Sequence, residues 1–230
     1  MSNHGKKYLS IKEKLAQADV NTWSKAIDFV VKNAPAKFDE SVDLDIILGI
    51  DAAKGEQTVR GSALLPHGTG KKVRVVVFAK DDYADEAKKA GADVVGLEDL
   101  IAKVESGWMD FEVAVATPDV MGIVGKVAKI LGPRGLLPNK KVGTVTFDVA
   151  SIVSDLKKGR VSFRNDKTGI VHVPFGKVSF GVEKLLVNLR ALMQVVRTSK
   201  PPTSKGKFIK KVTISSTMGA GVVINSEEIA

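Results

Sequence analysis

The chain has 230 residues, 44% of them hydrophobic and none of them cysteine, and its formal net charge is +9. This length and apolar content allow two domains with real cores and argue against a disordered chain. The lack of cysteine excludes a disulfide, a thiolate nucleophile and a cysteine-ligated zinc, which suits a reducing cytosol. No apolar stretch is long enough to span a bilayer, and the first residues lack the apolar core of a signal peptide. We therefore expect a cytoplasmic protein without a membrane partner.

The first segment predicts a helix followed by two strands. After a cap at Asn21 or Thr22, apolar residues recur at helical spacing until Pro35. Residues 42–50 then alternate between apolar and polar, which is typical of a strand with one buried face, and residues 59–65 predict a second strand.

The next segment predicts a loop or hinge, because Pro66, Gly68 and Gly70 interrupt the strand pattern. Beyond it, short apolar strands alternate with helical stretches. Strands are predicted at 73–78, 93–96 and 111–116, and helices at 82–90, 97–105 and 119–131. This βαβ order predicts a small parallel sheet covered by helices on both faces, that is, a Rossmann-like α/β domain.

Strand patterns return at 160–164, 169–174 and 208–215, around a long helix at 181–197. The first 66 residues alone are too few to close a core, whereas together with the last part of the chain they make a plausible α+β unit. We predict a discontinuous base domain of residues 1–66 plus 160–230 and an inserted domain of residues 67–159. The two crossings would form a hinge at Pro66, Gly68, Gly70 and Gly159. Three consecutive small units are the alternative.

Enzymatic sites are not indicated. The turn after the first middle strand lacks the glycines of a dinucleotide or P-loop site. The three histidines are too scattered in sequence for a helical metal pair, and Asp43 with Asp45 reads more simply as the polar face of a strand. We expect no catalytic residue, no metal and no cofactor. A nucleotide-dependent enzyme that uses the inserted domain is the alternative.

The positive charge is concentrated late in the chain. Residues 160–211 contain 12 Lys and Arg against two acids, Asp166 and Glu183, whereas residues 1–66 contain nine basic and nine acidic residues. Such a field attracts a polyanion, and RNA or DNA is the usual one. A solvated surface with excess lysine would show the same charge. A DNA-binding regulator shares the electrostatics, but no helix-turn-helix or basic dimerisation helix is apparent.

Three segments carry groups suited to RNA. Residues 164–168 place arginine, asparagine, aspartate and lysine in a turn, and residues 205–211 contain four lysines. Residues 215–221 are rich in hydroxyls and glycine, so a ribose or phosphate could approach the backbone and take hydrogen bonds from it. Charged hairpin turns and a flexible loop are the simpler structural readings. Phe38 is either an exposed stacking group or a buried one, and Met218 either an apolar contact to RNA or a core plug.

Several longer motifs resemble one known family. They are 124–139, whose helix ends at Gly132 and Pro133, and the stretches 36–42, 59–61, 65–70, 163–167 and 216–221. Together they cover nearly the whole chain and resemble the ribosomal protein "L one" family, which forms the stalk of the large ribosomal subunit, in its bacterial form.

The resemblance implies a discontinuous base domain with an inserted Rossmann-like domain and a non-enzymatic role as a monomer in the large subunit. It also implies binding of large-subunit ribosomal RNA at the mobile stalk beside the exit site, help in releasing deacylated tRNA, and repression of translation through the protein's own operon mRNA. The positions that match the family's RNA contacts are Lys37, Phe38, Arg60, Arg164, Asp166, Lys167, His172, Ser215, Thr217, Met218 and Gly219. Arg134 and Lys140 in the signature either contact RNA or shape a loop.

Overall fold

The computed structural model of the protein describes residues 5–224, and the chain divides into two compact units. One unit is formed by the chain up to Gly70 together with the chain from Val161 onward, and Lys71–Arg160 forms the other. These boundaries lie a few residues beyond the predicted ones. Residues 1–4 and 225–230, included in the predicted base domain, lie outside the described residues.

The first unit contains a four-stranded antiparallel sheet. Its helices are α1 (Lys6–Gln17), α2 (Trp23–Lys32) and α8 (Gly181–Thr198), and its strands are β1 (Ser41–Leu48), β2 (Arg60–Leu64), β6 (Arg160–Arg164), β7 (Ile170–Lys177), β8 (Ile209–Ser216) and β9 (Val222–Ile224). The sheet order is β7-β1-β8-β9, and β2 pairs separately with β6. The strand from the early part of the chain therefore lies between two strands from the late part.

The first unit has one core, on one side of this sheet. Burial alternates residue by residue along β1, as its sequence predicted. Val42, Leu44, Ile46 and Leu48 are all buried and pack with the apolar residues of α2 and α8. Of the two predicted caps of α2, Asn21 and Thr22, the structure has Thr22, whose hydroxyl accepts the N–H of Lys25. The opposite face of the sheet carries the polar residues, among them Asp43, Asp45 and His172.

The second unit contains a three-stranded parallel sheet in the order β4-β3-β5. Its strands are β3 (Val75–Phe78), β4 (Val94–Gly96) and β5 (Val113–Ala116), and its helices are α3 (Asp81–Lys89), α4 (Glu98–Glu105), α5 (Met121–Val124), α6 (Ala128–Leu131) and α7 (Val149–Lys158). Val76 and Phe78 pack on one side with α4, α5 and α6. Val75 and Val77 pack on the other with α3 and α7. The predicted parallel sheet with helices on both faces is confirmed.

One predicted helix is wrong, and three elements of the structure were not predicted. The single helix predicted at 119–131 is a chain of short helical turns, because α5 and α6 are separated by the 3-10 turn Gly125–Val127 and preceded by another at Pro118–Val120. Glycine at 122 and 125 weakens helix propensity there. The helices α1 and α7 and the short strand β9 were not predicted.

Candidate nucleic-acid interface

The polar face of the four-stranded sheet carries an ordered set of side chains. Asp45 is paired with His172 on β7 and Thr213 on β8, and Asp43 with Pro174 and Ser215. At one end of the sheet Ser41 pairs with Lys177, and at the other Ile47 pairs with Ile170. The two ends are six residues apart along β1, a distance of about 20 Å at the usual rise of a strand.

The first end presents two exposed apolar side chains. Phe38 is 58% exposed and Met218 is 60% exposed. Phe38 lies in the segment just before β1, and Met218 follows β8 directly. Met218 is therefore not a core plug and Phe38 is not buried, whereas their contact with RNA stays a prediction. Exposed Lys37 and half-buried Ser215 belong to the same end.

The loop after β8 is held by the start of β1. The Thr217 N–H donates to the Ser41 carbonyl (3.1 Å), and the Ser41 N–H donates to the Thr217 hydroxyl (3.1 Å). The Gly219 N–H donates to the Ser216 carbonyl, and a Cβ on Gly219 would overlap the Ser216 hydroxyl. This glycine is required for internal packing.

One expectation for this loop was wrong. Its backbone amides were expected to donate to an approaching ribose or phosphate. The N–H groups of Thr217, Met218 and Gly219 all donate within the protein instead, to Ser41, to the Glu40 carboxylate and to Ser216. Of these three residues, Thr217 and Met218 are exposed.

The second end is built around Asp166. Its carboxylate accepts the N–H of Ile170 (2.8 Å) and both the N–H and the hydroxyl of Thr168. The Ile170 N–H, followed by the Thr168 hydroxyl, holds the pKa of Asp166 below its ordinary value. Asp166 thus shapes the turn, and Arg164 and Lys167 on either side of it are exposed. Gly169 closes the turn with φ 82°.

Asn165 and Arg60 join the strand β2 to this turn. Asn165 Oδ1 accepts the Val59 N–H (2.8 Å), and the Asn165 N–H donates to the Val59 carbonyl. Arg60 therefore lies beside the turn, and its Nε is buried without a hydrogen-bond partner among residues 5–224. Asn165 is 8% exposed, so it stabilises the strand pair and is not available to contact RNA bases.

His172 connects the turn to the sheet. Its Nδ1 lies 2.6 Å from Asp45 Oδ1, and its Nε2 lies 3.8 Å from Asp166 Oδ2. Asp43, one row further along, is partly buried, and burial together with the charge of Asp45 raises its pKa. Carboxylates thus occupy the middle of the open face.

The lysine-rich segment lies at the second end as well. Leu48 pairs with Ile209, the Gly49 N–H donates to the Phe208 carbonyl, and the Leu48 N–H donates to the Gly169 carbonyl. The segments 164–169 and 205–211 therefore flank the same end of β1. The cations at this end are all exposed: Arg164, Lys167, Lys205, Lys207, Lys210 and Lys211. We call the first end, where Phe38 and Met218 are exposed beside Lys37, the apolar end. The second, which carries these six cations, is the cationic end.

The predicted hinge residues have backbone conformations suited to glycine. Gly68, Gly70 and Gly159 have φ of 66°, 73° and 109°. Asn188 on α8 accepts the His67 N–H (3.0 Å) and donates to the carbonyls of Gly68 and Phe175 (2.9 Å each). Residues 67 and 68 are therefore held against the first unit, whereas Pro66 and Gly70 are exposed. Arg134 and Lys140, in the second unit, are exposed.

Sequence reasoning missed the residue that ties the apolar end together. Glu40 is buried, and its carboxylate accepts N–H groups from both segments of that end. The signal was present but weak: a lone glutamate before a strand is usually solvated. Asp39 and Ser179 were missed too. The Ser179 N–H and hydroxyl both donate to Asp39, which fixes the segment 36–40 to the end of β7.

Within residues 5–224 no helix combines the length and the apolarity that a membrane crossing requires.

One comparison with known proteins identifies the family of the chain. The model of the ribosomal protein L1p/L10e family matches residues 30–220, which is most of the chain and includes both units. Proteins of this family are not normally enzymes; they are structural proteins associated with the ribosome. The chain belongs to the ribosomal protein L1p/L10e family and is a structural protein of the large ribosomal subunit.

Proposed function

We propose that this protein binds large-subunit ribosomal RNA at the mobile stalk next to the exit site, using the open face of the four-stranded sheet and its two ends. The observation that carries the proposal is the pair of exposed apolar side chains, Phe38 and Met218, on hydrogen-bonded loops. Among the large hydrophobic residues of the part of the chain that the structure describes, these two are the most exposed, they lie at the same end of the sheet, and an unpaired base can stack on such groups.

The cationic end supplies the complementary chemistry. Arg164 and Lys167 flank a turn whose shape is set by Asp166, so their charges have a defined position for phosphates. With about 20 Å between the two ends, an RNA that contacts both must extend over at least this distance. Asp166 contributes to RNA binding by shaping the turn that carries Arg164 and Lys167. His172 contributes by connecting this turn to Asp45 on the sheet.

The domain roles follow from this assignment. The unit with the four-stranded sheet is the RNA-binding base domain, and Lys71–Arg160 is the inserted domain, joined to it by a hinge at Pro66, Gly68, Gly70 and Gly159. Family membership supports two further roles: assistance in releasing deacylated tRNA from the exit site, and repression of the protein's own operon by binding its mRNA. A shared RNA element would let the mRNA compete with ribosomal RNA for one surface.

The test is equilibrium binding to a stalk fragment of large-subunit ribosomal RNA, beside an unrelated RNA of equal length, over a series of salt concentrations. Phe38→Ala with Met218→Ala should weaken stalk binding by about 1–3 kcal/mol, the range for a lost stacking contact, and leave the salt dependence unchanged.

Arg164→Gln with Lys167→Gln should reduce the slope of log affinity against log salt by about 0.7–0.9 for each lost phosphate contact. The matched control is Lys184→Gln with Arg190→Gln, two exposed cations on α8, which covers the other side of the sheet. If the control pair lowers the slope as much as the first pair, the basic surface is a diffuse field and the proposed site is wrong.

The two further roles have their own readouts. A leader segment of the operon mRNA should displace the stalk fragment in competition. Ribosomes rebuilt with the Arg164 and Lys167 variant should release deacylated tRNA more slowly. Independent binding of both RNAs, or unchanged release, would remove the corresponding role.

A further inference from the structure

Glu40 is a buried carboxylate beside the apolar end of the sheet. It is 1% exposed. Its Oε1 accepts the Ala36 N–H at 2.6 Å and its Oε2 accepts the Met218 N–H at 3.0 Å, while its own carbonyl accepts the Val178 N–H. A buried carboxylate is costly unless it is hydrogen-bonded, and here each oxygen has a backbone donor.

These two bonds join segments that are 178 residues apart in the chain. One segment carries Phe38 and the other carries Met218, the two exposed apolar side chains of this end. The bond to Ala36 fixes the approach to Phe38 from the N-terminal side, and the bond to Met218 fixes the backbone at the apolar side chain itself. Ser41 with Thr217 and Asp39 with Ser179 hold these segments to the sheet as well, but the Glu40 side chain bonds to both of them directly.

The negative charge of Glu40 does not itself attract RNA. A carboxylate near a phosphate chain repels it, so on electrostatics alone its removal should strengthen RNA binding. The simple structural alternative is that Glu40 only stabilises the fold, in which case its loss should lower stability without a specific effect on the bound complex.

We infer that Glu40 is a positioning residue for RNA binding: it presets the distance and orientation of Phe38 and Met218 so that both contact the RNA at once. The inference rests on the proposed function. Preorganisation of this kind raises affinity because the loops do not have to be ordered when the RNA binds.

The test compares two substitutions that alter different properties of Glu40. Glu40→Gln keeps the length and removes the charge, but its NH₂ group cannot accept a backbone N–H. Glu40→Asp keeps the charge but is one methylene too short to reach both N–H groups. Both should weaken binding to the stalk fragment by about tenfold, since the side chains that Glu40 presets would then have to be ordered when the RNA binds. The salt dependence should stay the same, because no phosphate contact is lost.

The control is Glu56→Gln, which makes the same chemical change at an exposed carboxylate in the 3-10 turn Gly55–Gln57. It should leave stalk binding unchanged or slightly tighter. If Glu40→Gln also binds equally or more tightly, the charge alone matters and the inference is wrong.

A double-mutant comparison separates positioning from general stability. In a chain that already carries Phe38→Ala and Met218→Ala, Glu40→Asp should have little further effect on binding, because nothing remains to be positioned. An undiminished tenfold loss in that background would overturn the inference.

The proposed function fails differently: if the Phe38 and Met218 double variant itself binds like the native chain, the apolar end does not contact RNA, and both proposals fall. If that variant binds weakly while both Glu40 variants bind normally, only the inference about Glu40 is wrong.

Discussion

Replacing Asn188 by leucine should strongly destabilise the first unit. Asn188 is fully buried on α8, and its amide makes three hydrogen bonds to backbone groups of residues 67, 68 and 175. Leucine has the same number of side-chain heavy atoms but is bulkier and has no polar atom. The carbonyls of Gly68 and Phe175, both in buried residues, would lose their donors, whereas exposed His67 can bind water.

The magnitude follows from the two buried carbonyls. Each buried acceptor left unsatisfied costs about 1–3 kcal/mol, and the apolar leucine offsets a part, so we expect a loss of about 2–4 kcal/mol. With a urea m-value of about 2 kcal/mol/M, the midpoint of unfolding should fall by about 1–2 M.

The two tryptophans allow the first unit to be followed alone. Trp23 packs in the core of the first unit and Trp108 packs against Phe111 in the second. In a Trp108→Phe background, Trp23 fluorescence reports urea unfolding of the first unit only. Gln194→Leu, an exposed amide on the same helix, is the control and should change stability by no more than about 0.5 kcal/mol. A midpoint for Asn188→Leu within about 0.3 M of this control would refute the argument, since the estimated loss predicts a larger shift.

Two further predictions concern the cationic end. Asp166→Asn should lower thermal stability at pH 7, because the folded protein holds the pKa of Asp166 down through the Ile170 N–H and the Thr168 hydroxyl. This stabilisation is present above about pH 4, the ordinary pKa of an aspartate, and is lost as the pH falls through the lowered pKa. The melting temperatures of variant and native chain should therefore converge at acid pH, and a gap that is independent of pH contradicts the reasoning. Gly49→Ala should lower the free energy of unfolding by about 2 kcal/mol or more, because a Cβ there would overlap the Lys207 carbonyl oxygen. Gly55→Ala, where nothing lies within 4 Å of the new Cβ, is its control in the same urea titration and should stay within about 0.5 kcal/mol.

Elements with a strong apolar period were predictable from the sequence. The helix α2 with its Thr22 cap, the alternating strand β1 and the parallel sheet of the second unit all follow from local pattern and cap chemistry. The helix α1 was missed because five of its 12 residues are charged and only Ile11 is buried. The helix α7 was missed although its cap, Asp148, and its final glycine, Gly159, are typical signals.

The candidate site was predictable as a set of residues and not as an arrangement. Sequence motifs named Phe38, Met218, Arg164 and Lys167, but they gave no reason to separate them into an apolar end and a cationic end. That separation depends on strand register, which joins residue 41 to 177 and residue 47 to 170. Glu40 escaped notice for the same reason, because its second partner lies 178 residues away.

The central place of β1 also affects how the chain must be synthesised. This strand leaves the ribosome early, yet Ser41 bonds with Thr217, 176 residues later in the chain. At usual rates of translation, β1 waits roughly 10–35 s for its neighbours, with its backbone groups unpaired. An unpaired apolar strand invites aggregation, and charged side chains on one of its faces are what prevents it. Asp43 and Asp45 place two carboxylates on one face of β1, so we expect them to limit aggregation of the strand before its neighbours are made.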